Sequence, residues 1–322
     1  MIILNEHEVQ KIYNMKDAFC DIKEMLNQKN IGNIINPPRT VIELPNKEGS
    51  VLYMPCTDLS KSIMSIKTVT IFPNNASEGR ETTQGIILLS DANNGDHVAL
   101  FNASYLTRLR TGAISGLATD KLALKHAQSL AVIGTGGMAF EQVLGVLEVR
   151  DIKEILLFNP TKEKAVQFKK DLREYGIKNS VKIEMVDDVS EAVSRSQIIN
   201  CSTRSNKPVF NGNDVLLGTH VNGIGSYLPH MQEVDFSFIK KSNKIVVDDF
   251  KGVTEEAGEL IYANKQSDWS FEKDLHGELI DLVTDNIVGR ENEEEITFFK
   301  SVGASYYDLA VANGVYKKTK II

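Results

Sequence analysis

The 322-residue sequence predicts an α/β fold whose middle part is built on a parallel sheet. Three observations lead there. Strand-like and helix-like segments alternate from Ser129 to Asp248. A glycine-rich turn, Gly134-Thr-Gly136-Gly137-Met138-Ala139, joins the first of those strands to the first helix. The composition, 42% hydrophobic and 25% charged, is that of an ordinary globular chain with a substantial core.

Residues from Asn5 to about Asn30 read as helix, because Val9, Ile12, Phe19, Ile22 and Met25-Leu26 recur at spacings of three, four and seven. Short β-like runs follow at Arg39–Leu44, Ser50–Pro55, Ile63–Phe72 and Gly85–Ser90, separated by turn-rich segments such as Pro45–Gly49 and Asn74-Asn75. They suit a meander or mixed sheet. A helix from about Ala103 to Leu124 is capped by Asn102 or Ser104. Strands are then expected at Ser129–Ile133, Glu154–Phe158, Val181–Val186, Ser196–Cys201, Thr219–Ile224 and Asn243–Asp248. Helices fill Met138–Glu148, Lys162–Tyr175 and Val189–Ser194, and this order implies right-handed crossovers. The last segment, opening with Glu293-Glu-Glu-Ile-Thr-Phe-Phe, is expected to return as helix onto the first region, its acids favoured at the helix start. The expected domains are residues 1–125 completed by 302–322, and residues 126–301.

A formal net charge of −7 without a basic cluster argues against nucleic acid or an anionic membrane as the main partner. Cys20, Cys56 and Cys201 are odd in number and scattered, so no disulfide framework or zinc site is suggested, and the histidines show no metal-ligand spacing. The N-terminal segment lacks the pattern of a signal peptide, and no apolar run reaches the roughly 20 residues that span a bilayer. A soluble cytoplasmic protein is expected.

The glycine turn carries the most chemistry. Ala131-Val-Ile-Gly134 is a β-branched strand running into G-x-G-x-x-A and a helix. Gly134 permits the tight turn, Gly136 lets the backbone approach a pyrophosphate, and Ala139 keeps the helix close to the sheet. The amides at the helix start then face the phosphates. This is the signature of a Rossmann unit that binds a nicotinamide dinucleotide. At the end of the second strand an acid would select the ribose 2′-hydroxyl. Here Asn159 stands in that place with Lys162 and Lys164 close by, so NADPH is permitted and mildly favoured, and NADH is also compatible.

Three cations lie in apolar or β-like settings: Arg39 after Pro37-Pro38, Lys67 between Ile63-Met-Ser-Ile66 and Thr68–Phe72, and Arg110 among the small residues of a helix. Burying such a charge costs several kcal/mol, on the order of 3–5, unless it is paired or serves a ligand. Each alone is compatible with a structural ion pair. Together with a dinucleotide they suit a carboxylate-bearing substrate.

The order of these elements resembles the ornithine cyclodeaminase/mu-crystallin family. The matching segments are Tyr53-Met54-Pro55, Ile66-Lys67-Thr-Val-Thr, Leu109-Arg110-Thr111-Gly-Ala, Gly134-Thr-Gly-Gly, Gly289-Arg290 and Ile296-Thr-Phe-Phe-Lys-Ser301-Val-Gly303. The resemblance implies a Rossmann domain plus an α+β substrate-binding and dimerisation domain made from both chain ends, working as a homodimer. It implies that Arg39, Met54, Lys67 and Arg110 hold the substrate. It also implies that Thr82, Arg110, Thr111, Gly134, Gly136, Gly137, Met138, Asn159, Thr203, Asn222, Ile224 and Ser301 surround the dinucleotide.

Two departures from the family pattern direct the functional reading. Ornithine cyclodeaminases carry Glu where this chain has Leu52, and a key Asp where it has Tyr227 in Gly225-Ser-Tyr227-Leu-Pro-His-Met231. Leucine accepts no ammonium hydrogen bond, and tyrosine is a poor base at neutral pH. What remains suits an NAD(P)H-dependent reductase of a cyclic ketimine such as Δ1-pyrroline-2-carboxylate, with Lys67 or Tyr227 as proton donor. Ornithine cyclodeamination, an alanine-type dehydrogenase and a non-catalytic nucleotide-binding protein stay open as alternatives.

Overall fold

In the computed structural model, which describes residues 1–321, the helical pattern that opens the chain is two helices rather than one. After strand β1 (Ile2–Leu4), helix α1 (Glu6–Ile12) is capped by Asn5 and helix α2 (Met15–Asn30) by Asn14. The Asn14 side chain accepts the Lys16 and Asp17 amides while Asp17 accepts the Asn14 amide, a reciprocal cap that restarts the helix. Apolar periodicity runs straight across this break, so it hides the break in the sequence.

The chain divides into two compact units, Met1–Arg110 with residues 304–321, and Thr111–Gly303. The first holds a seven-stranded sheet of β1, β2 (Ile34–Ile35), β3 (Thr40–Leu44), β4 (Gly49–Asp58), β5 (Ile63–Ile71), β6 (Thr83–Asp91) and β7 (His97–Asn102). The order is β1-β7-β6-β5-β4-β2, with β3 also on β4, and only the β1–β7 pair is parallel. Neither β1 nor β7 is foreseen by the sequence reading, since β1 is only three residues long and β7 is a short run opened by His97. Alternation buries one face: Met54, Cys56 and Asp58 on β4, Ile63, Ser65 and Lys67 on β5, Ile87 and Leu89 on β6. A last helix, Ser305–Thr319, buried from Ser305 to Val315, packs on β4, β5 and β6 and against α2.

Helix α3 (Ser104–Leu122), its start capped by Asn102, carries the chain from one unit into the other. The division falls inside α3, earlier than the expected boundary at residue 125. Its second half packs within the second unit, where Arg150 donates to the carbonyls of Thr119, Asp120, Ala123 and Leu124.

The second unit is an all-parallel sheet of eight strands: β8 (Ser129–Ile133), β9 (Glu154–Phe158), β10 (Lys182–Met185), β11 (Ile198–Cys201), β12 (His220–Gly223), β13 (Lys244–Val247), β14 (Gly277–Glu278) and β15 (Thr297–Lys300). Their order is β10-β9-β8-β11-β12-β15-β13-β14. The helices are α4 (Ala139–Val149), α5 (Lys162–Tyr175), α6 (Val189–Ser194), α7 (Phe236–Lys241), α8 (Phe250–Glu256), α9 (Gly258–Asn264), α10 (Phe271–Asp274) and α11 (Leu279–Val283). Two apolar clusters line the sheet, one around Leu130, Val132, Val143 and Phe168, the other around Ile133, Ile199, Phe238 and Phe298. That is why its strands read as unbroken apolar runs.

The expected helix start at Glu293–Glu295 is instead a turn, and the apolar run after it is β15, placed between β12 and β13. Asn292 accepts the Glu294 and Glu295 amides, which closes the turn, and Ile296, Thr297 and two phenylalanines favour a strand. The returning helix begins only after Gly303, whose φ of +86° turns the chain. No helix among the described residues is long and apolar enough to cross a membrane.

Gly145 of α4 tests the packing of α3 against α4. A Cβ there would lie 2.0 Å from the Gly112 carbonyl oxygen. Gly145→Ala is expected to lower unfolding free energy by about 1–3 kcal/mol, read from the urea midpoint; an unchanged midpoint would show that the two helices separate without cost.

Candidate active site

β8 has β9 on one side and β11 on the other, so the chain leaves its carboxyl end at the place where strand order reverses. Parallel sheets open a crevice there. Gly134 follows β8 with φ +87°, and a Cβ on it would stand 2.7 Å from Thr203 Cγ2. A Cβ added to Gly136 or Gly137 meets nothing within 4 Å, so this side of the turn is open. The Thr135 hydroxyl is buried without a hydrogen-bond partner, and the Thr135 amide donates to Asn159 Oδ1 at 3.1 Å. Open glycines, an orphaned hydroxyl and a helix start just after Met138 together fit a dinucleotide pyrophosphate. Asn159 also donates to the Thr161 carbonyl, so its side chain is engaged in shaping its own loop. Lys162 pairs with Asp187 at 2.7 Å, which offsets part of the positive charge counted toward NADPH.

The neighbouring strand ends are tied together by carboxylates that the sequence reading missed. Glu233, fully buried, accepts the Thr203 amide (2.5 Å) and hydroxyl (2.9 Å) on one oxygen and the Gly225 (2.7 Å) and Ser226 (3.3 Å) amides on the other. It thereby fixes the loops after β11 and β12 against each other. Gly225 is required there, since a Cβ would lie 1.9 Å from the Thr203 carbonyl oxygen. Ser226 in turn binds both Glu259 and Lys300. Asp248, after β13, accepts the Ser301 hydroxyl and the Val302 and Gly303 amides. Ser301 therefore lies in this rim with its hydroxyl committed to Asp248.

Asn222 is fully buried, and its amide is spent on Thr119, Asn200 and His220 rather than being turned to solvent. Ile224 is buried and Tyr227 half-buried against the core. Thr111 is buried in α3, while Thr82 lies in the other unit, just before β6. Cys201 is fully buried and burial pushes its thiol up, so it is not a nucleophile. No cluster of metal-ligating side chains occurs among the described residues.

In the first unit, sheet register lines up Met54, Lys67, Ile87 and Phe101 across four strands, and Arg39 precedes β3, which pairs with β4 beside Met54. Lys67 Nζ lies 2.7 Å from Asp308 Oδ2, and Arg110 Nε lies 3.2 Å from Asp308 Oδ1. Lys67, Arg110 and Asp308 are all buried, and Arg39 is half-buried and close enough to act on Lys67. Lys67 is lowered to about 8, chiefly by burial, with Asp308 opposing and Arg110 and Arg39 adding to the fall. Repulsion by the two arginines is thus a smaller effect than burial. Leu52 lies on the same sheet face as Met54, two residues along β4 and opposite Val69.

Three lysines are buried among the described residues, and their partners differ. Lys300 donates to the Ser226 carbonyl and hydroxyl and pairs with Glu259; Lys244 reaches Val288, Gly289, Glu291 and Glu295. An ammonium has three protons to place. Lys67 has one partner among the described residues, Asp308, and Arg110 meets Asp308 through Nε alone. Two ammonium protons and the terminal guanidinium nitrogens are left for a ligand.

Comparison with known proteins identifies the family and the fold. The model of the ornithine cyclodeaminase/mu-crystallin family matches residues 1–321. The chain belongs to this family. It is 36% identical over 319 residues to a Δ1-pyrroline-2-carboxylate reductase of Bacillus cereus, covering 99% of this chain and 96% of that one. The solved structure of Thermococcus litoralis Δ1-pyrroline-2-carboxylate reductase in complex with NADH and L-proline superposes with a TM-score of 0.92 at 33% identity, covering 100% and 98% of the two chains. An archaeal alanine dehydrogenase dimer with bound NAD gives 0.91 at 31% identity, covering 100% and 97%. The α/β fold with its parallel sheet is thus that of dinucleotide-binding members of the family.

The Asn222 network makes a pH prediction. His220 bonds Thr297 and Asn222, and burial lowers it to about 3, so it is neutral in the folded chain. Its unfolded form gains a proton near pH 6.5, so stability is complete above that value. It is then lost at up to about 1.4 kcal/mol per pH unit on the way down to the folded value. Urea midpoints between pH 7 and 4 should fall less steeply in His220→Gln; equal slopes would remove His220 as a cause.

Proposed function

We propose that this chain is an NAD(P)H-dependent reductase that converts Δ1-pyrroline-2-carboxylate, or a cyclic ketimine close to it, into the cyclic amino acid. The observation that carries the reading is Lys67, a buried ammonium with two protons unclaimed, next to an arginine whose terminal nitrogens are unclaimed too. A buried cation left under-coordinated is strongly disfavoured unless a ligand completes it. A carboxylate bound by Arg110, with Arg39 adding its charge and Lys67 donating toward the imine nitrogen, completes the two buried cations.

The bound cofactor supplies hydride to the imine carbon. The chain's part is to hold the carboxylate and to deliver the proton that makes C2 electrophilic and ends on nitrogen as N–H. Lys67, lowered to about 8, is mostly protonated at neutral pH yet able to give that proton up. In this reading Gly134, Gly136, Gly137, Met138, Asn159, Thr203, Ile224 and Ser301 hold the dinucleotide, and the family resemblance adds Thr82 and Thr111 to the set. Asn222 acts from within the sheet, Met54 contacts the ring, and Tyr227 stays the second candidate for the proton donor. NADH and NADPH are both accepted, with Asn159 allowing the 2′-phosphate. The bacterial and archaeal pyrroline-carboxylate reductases among the relatives support this choice of substrate.

Apolar Leu52, Met54 and Val69 near Lys67 offer nothing to a second substrate amine. The acid at this place, Asp308, is already shared by two cations. Ornithine cyclodeamination therefore ranks below imine reduction. A homodimer is part of the same proposal. The sheet face opposite the last helix carries Val51, Tyr53, Pro55, Ile66, Leu88 and Leu100 with Ile86 exposed, an apolar surface that a second copy would cover.

The purified protein should oxidise NADPH or NADH with Δ1-pyrroline-2-carboxylate and release no ammonia from ornithine; ammonia release with catalytic NAD would overturn the assignment. Lys67→Ala should lower kcat/KM by about 100-fold or more while dinucleotide affinity holds, since general acids contribute about 10²–10⁴-fold. Light scattering after size exclusion should give a dimer, and Ile66→Glu a monomer.

A further inference from the structure

Asp308 belongs to none of the sequence motifs, yet it is the group on which the cationic cluster turns. We propose that Asp308 is a positioning residue: its carboxylate holds the Lys67 ammonium with one oxygen and Arg110 with the other, keeping Lys67 charged and both cations aimed at the substrate. The inference rests on the reading of Lys67 as the proton donor and adds the group that sustains it.

The geometry supports one carboxylate dividing its two oxygens, with Lys67 at 2.7 Å and Arg110 at 3.2 Å, all three residues buried. The charged groups that act on Lys67 are Arg110 from α3, Arg39 ahead of β3 and Asp308 from the last helix, and Cys56 of β4 also faces Asp308. Cys56 is pushed up to about 12 by burial and stays a neutral thiol. Asp308 is thus the one negative charge acting on Lys67 in that set. Without it, the buried charges of Lys67 and Arg110 would face each other with Arg39 adding to the repulsion, and the lysine is the one that can lose its charge. Because Asp308 uses one ammonium proton and only Arg110 Nε, it leaves both cations able to bind a second carboxylate.

The test follows the Lys67 titration directly and catalysis separately. Lysine labelled with ¹³C at Cε is incorporated, and the Lys67 resonance is identified by its loss in Lys67→Arg. It should titrate near pH 8 in the unmodified chain. In Asp308→Asn the midpoint should drop by about one to three pH units, the range expected for loss of a close opposite charge. The alkaline limb of kcat/KM for Δ1-pyrroline-2-carboxylate should move down with it, because activity requires the protonated lysine. NADH affinity, read by fluorescence, should stay within about twofold, since the glycine turn is untouched. Asp308→Glu keeps the charge in a displaced position and should give a smaller shift in the same direction; it carries the test if Asp308→Asn does not fold. An unshifted Lys67 titration overturns the proposal whatever the activity. An unmodified chain that fails to reduce the imine overturns the functional reading instead, and the resonance still decides the role of Asp308.

Discussion

A buried lysine and a buried arginine in one unit require an anion, and the chain supplies it from a residue 198 positions beyond Arg110. Leaving either cation unpaired in that interior would cost on the order of 3–5 kcal/mol, a large share of the stability of an ordinary domain. The last helix therefore has to lie on β4, β5 and β6, beside strands made almost at the chain's beginning. The discontinuity of the first unit follows from this. Its apolar helix face supplies the burial, and Asp308 makes the burial of Lys67 and Arg110 tolerable. The same carboxylate leaves both cations incompletely coordinated, so one interaction serves both the packing and the chemistry.

The second unit solves a related problem with backbone amides. At the carboxyl ends of parallel strands the chain must turn, leaving N–H groups without ladder partners. Glu233 gathers the amides after β11 and β12, and Asp248 gathers those after β15. The glycine turn differs: a Cβ on Gly136 or Gly137 would meet nothing within 4 Å, and the Thr135 hydroxyl is orphaned. Rim loops held by internal acids and one turn left unsatisfied form a site with a definite place for an anion.

Most of the second unit was legible in the sequence because its signals are local. β8, β9 and α5 fall within the expected bounds, each set by an apolar run, a Pro-Thr start or a Gly176 stop, and so does α6, which Asp188 caps. β15 was not legible. A four-residue apolar run after three glutamates has no period of its own, and only its place between β12 and β13 makes it a strand. Lys67 was conspicuous because it interrupts a β run, and Arg110 because its helical neighbours are small. Asp308 was not, for Ser305-Tyr-Tyr-Asp308 looks like an ordinary helical first turn with its acid near the dipole. Glu233 and Asp248 escaped for the same reason: their meaning lies in which distant amides they accept.

Lys67 and Lys300 show where sequence reasoning ends. Lys67 interrupts an apolar strand and Lys300 ends one, both are buried, and both pair with one buried carboxylate. Nothing in their local sequence separates a structural lysine from a reactive one. The difference is in the remaining protons. Ser226 takes two of those on Lys300 through its carbonyl and hydroxyl, so that the ammonium is complete and has no capacity for a ligand. The strand neighbours of Lys67 on the same sheet face, Leu52, Met54 and Val69, are apolar and accept no hydrogen bond. Burial alone would drive such a lysine to neutrality, and a single carboxylate holds it near the point where it can still exchange a proton. An ammonium with a partner on one side and apolar walls on the others is stable only until a better acceptor arrives, which is the condition a proton donor has to meet.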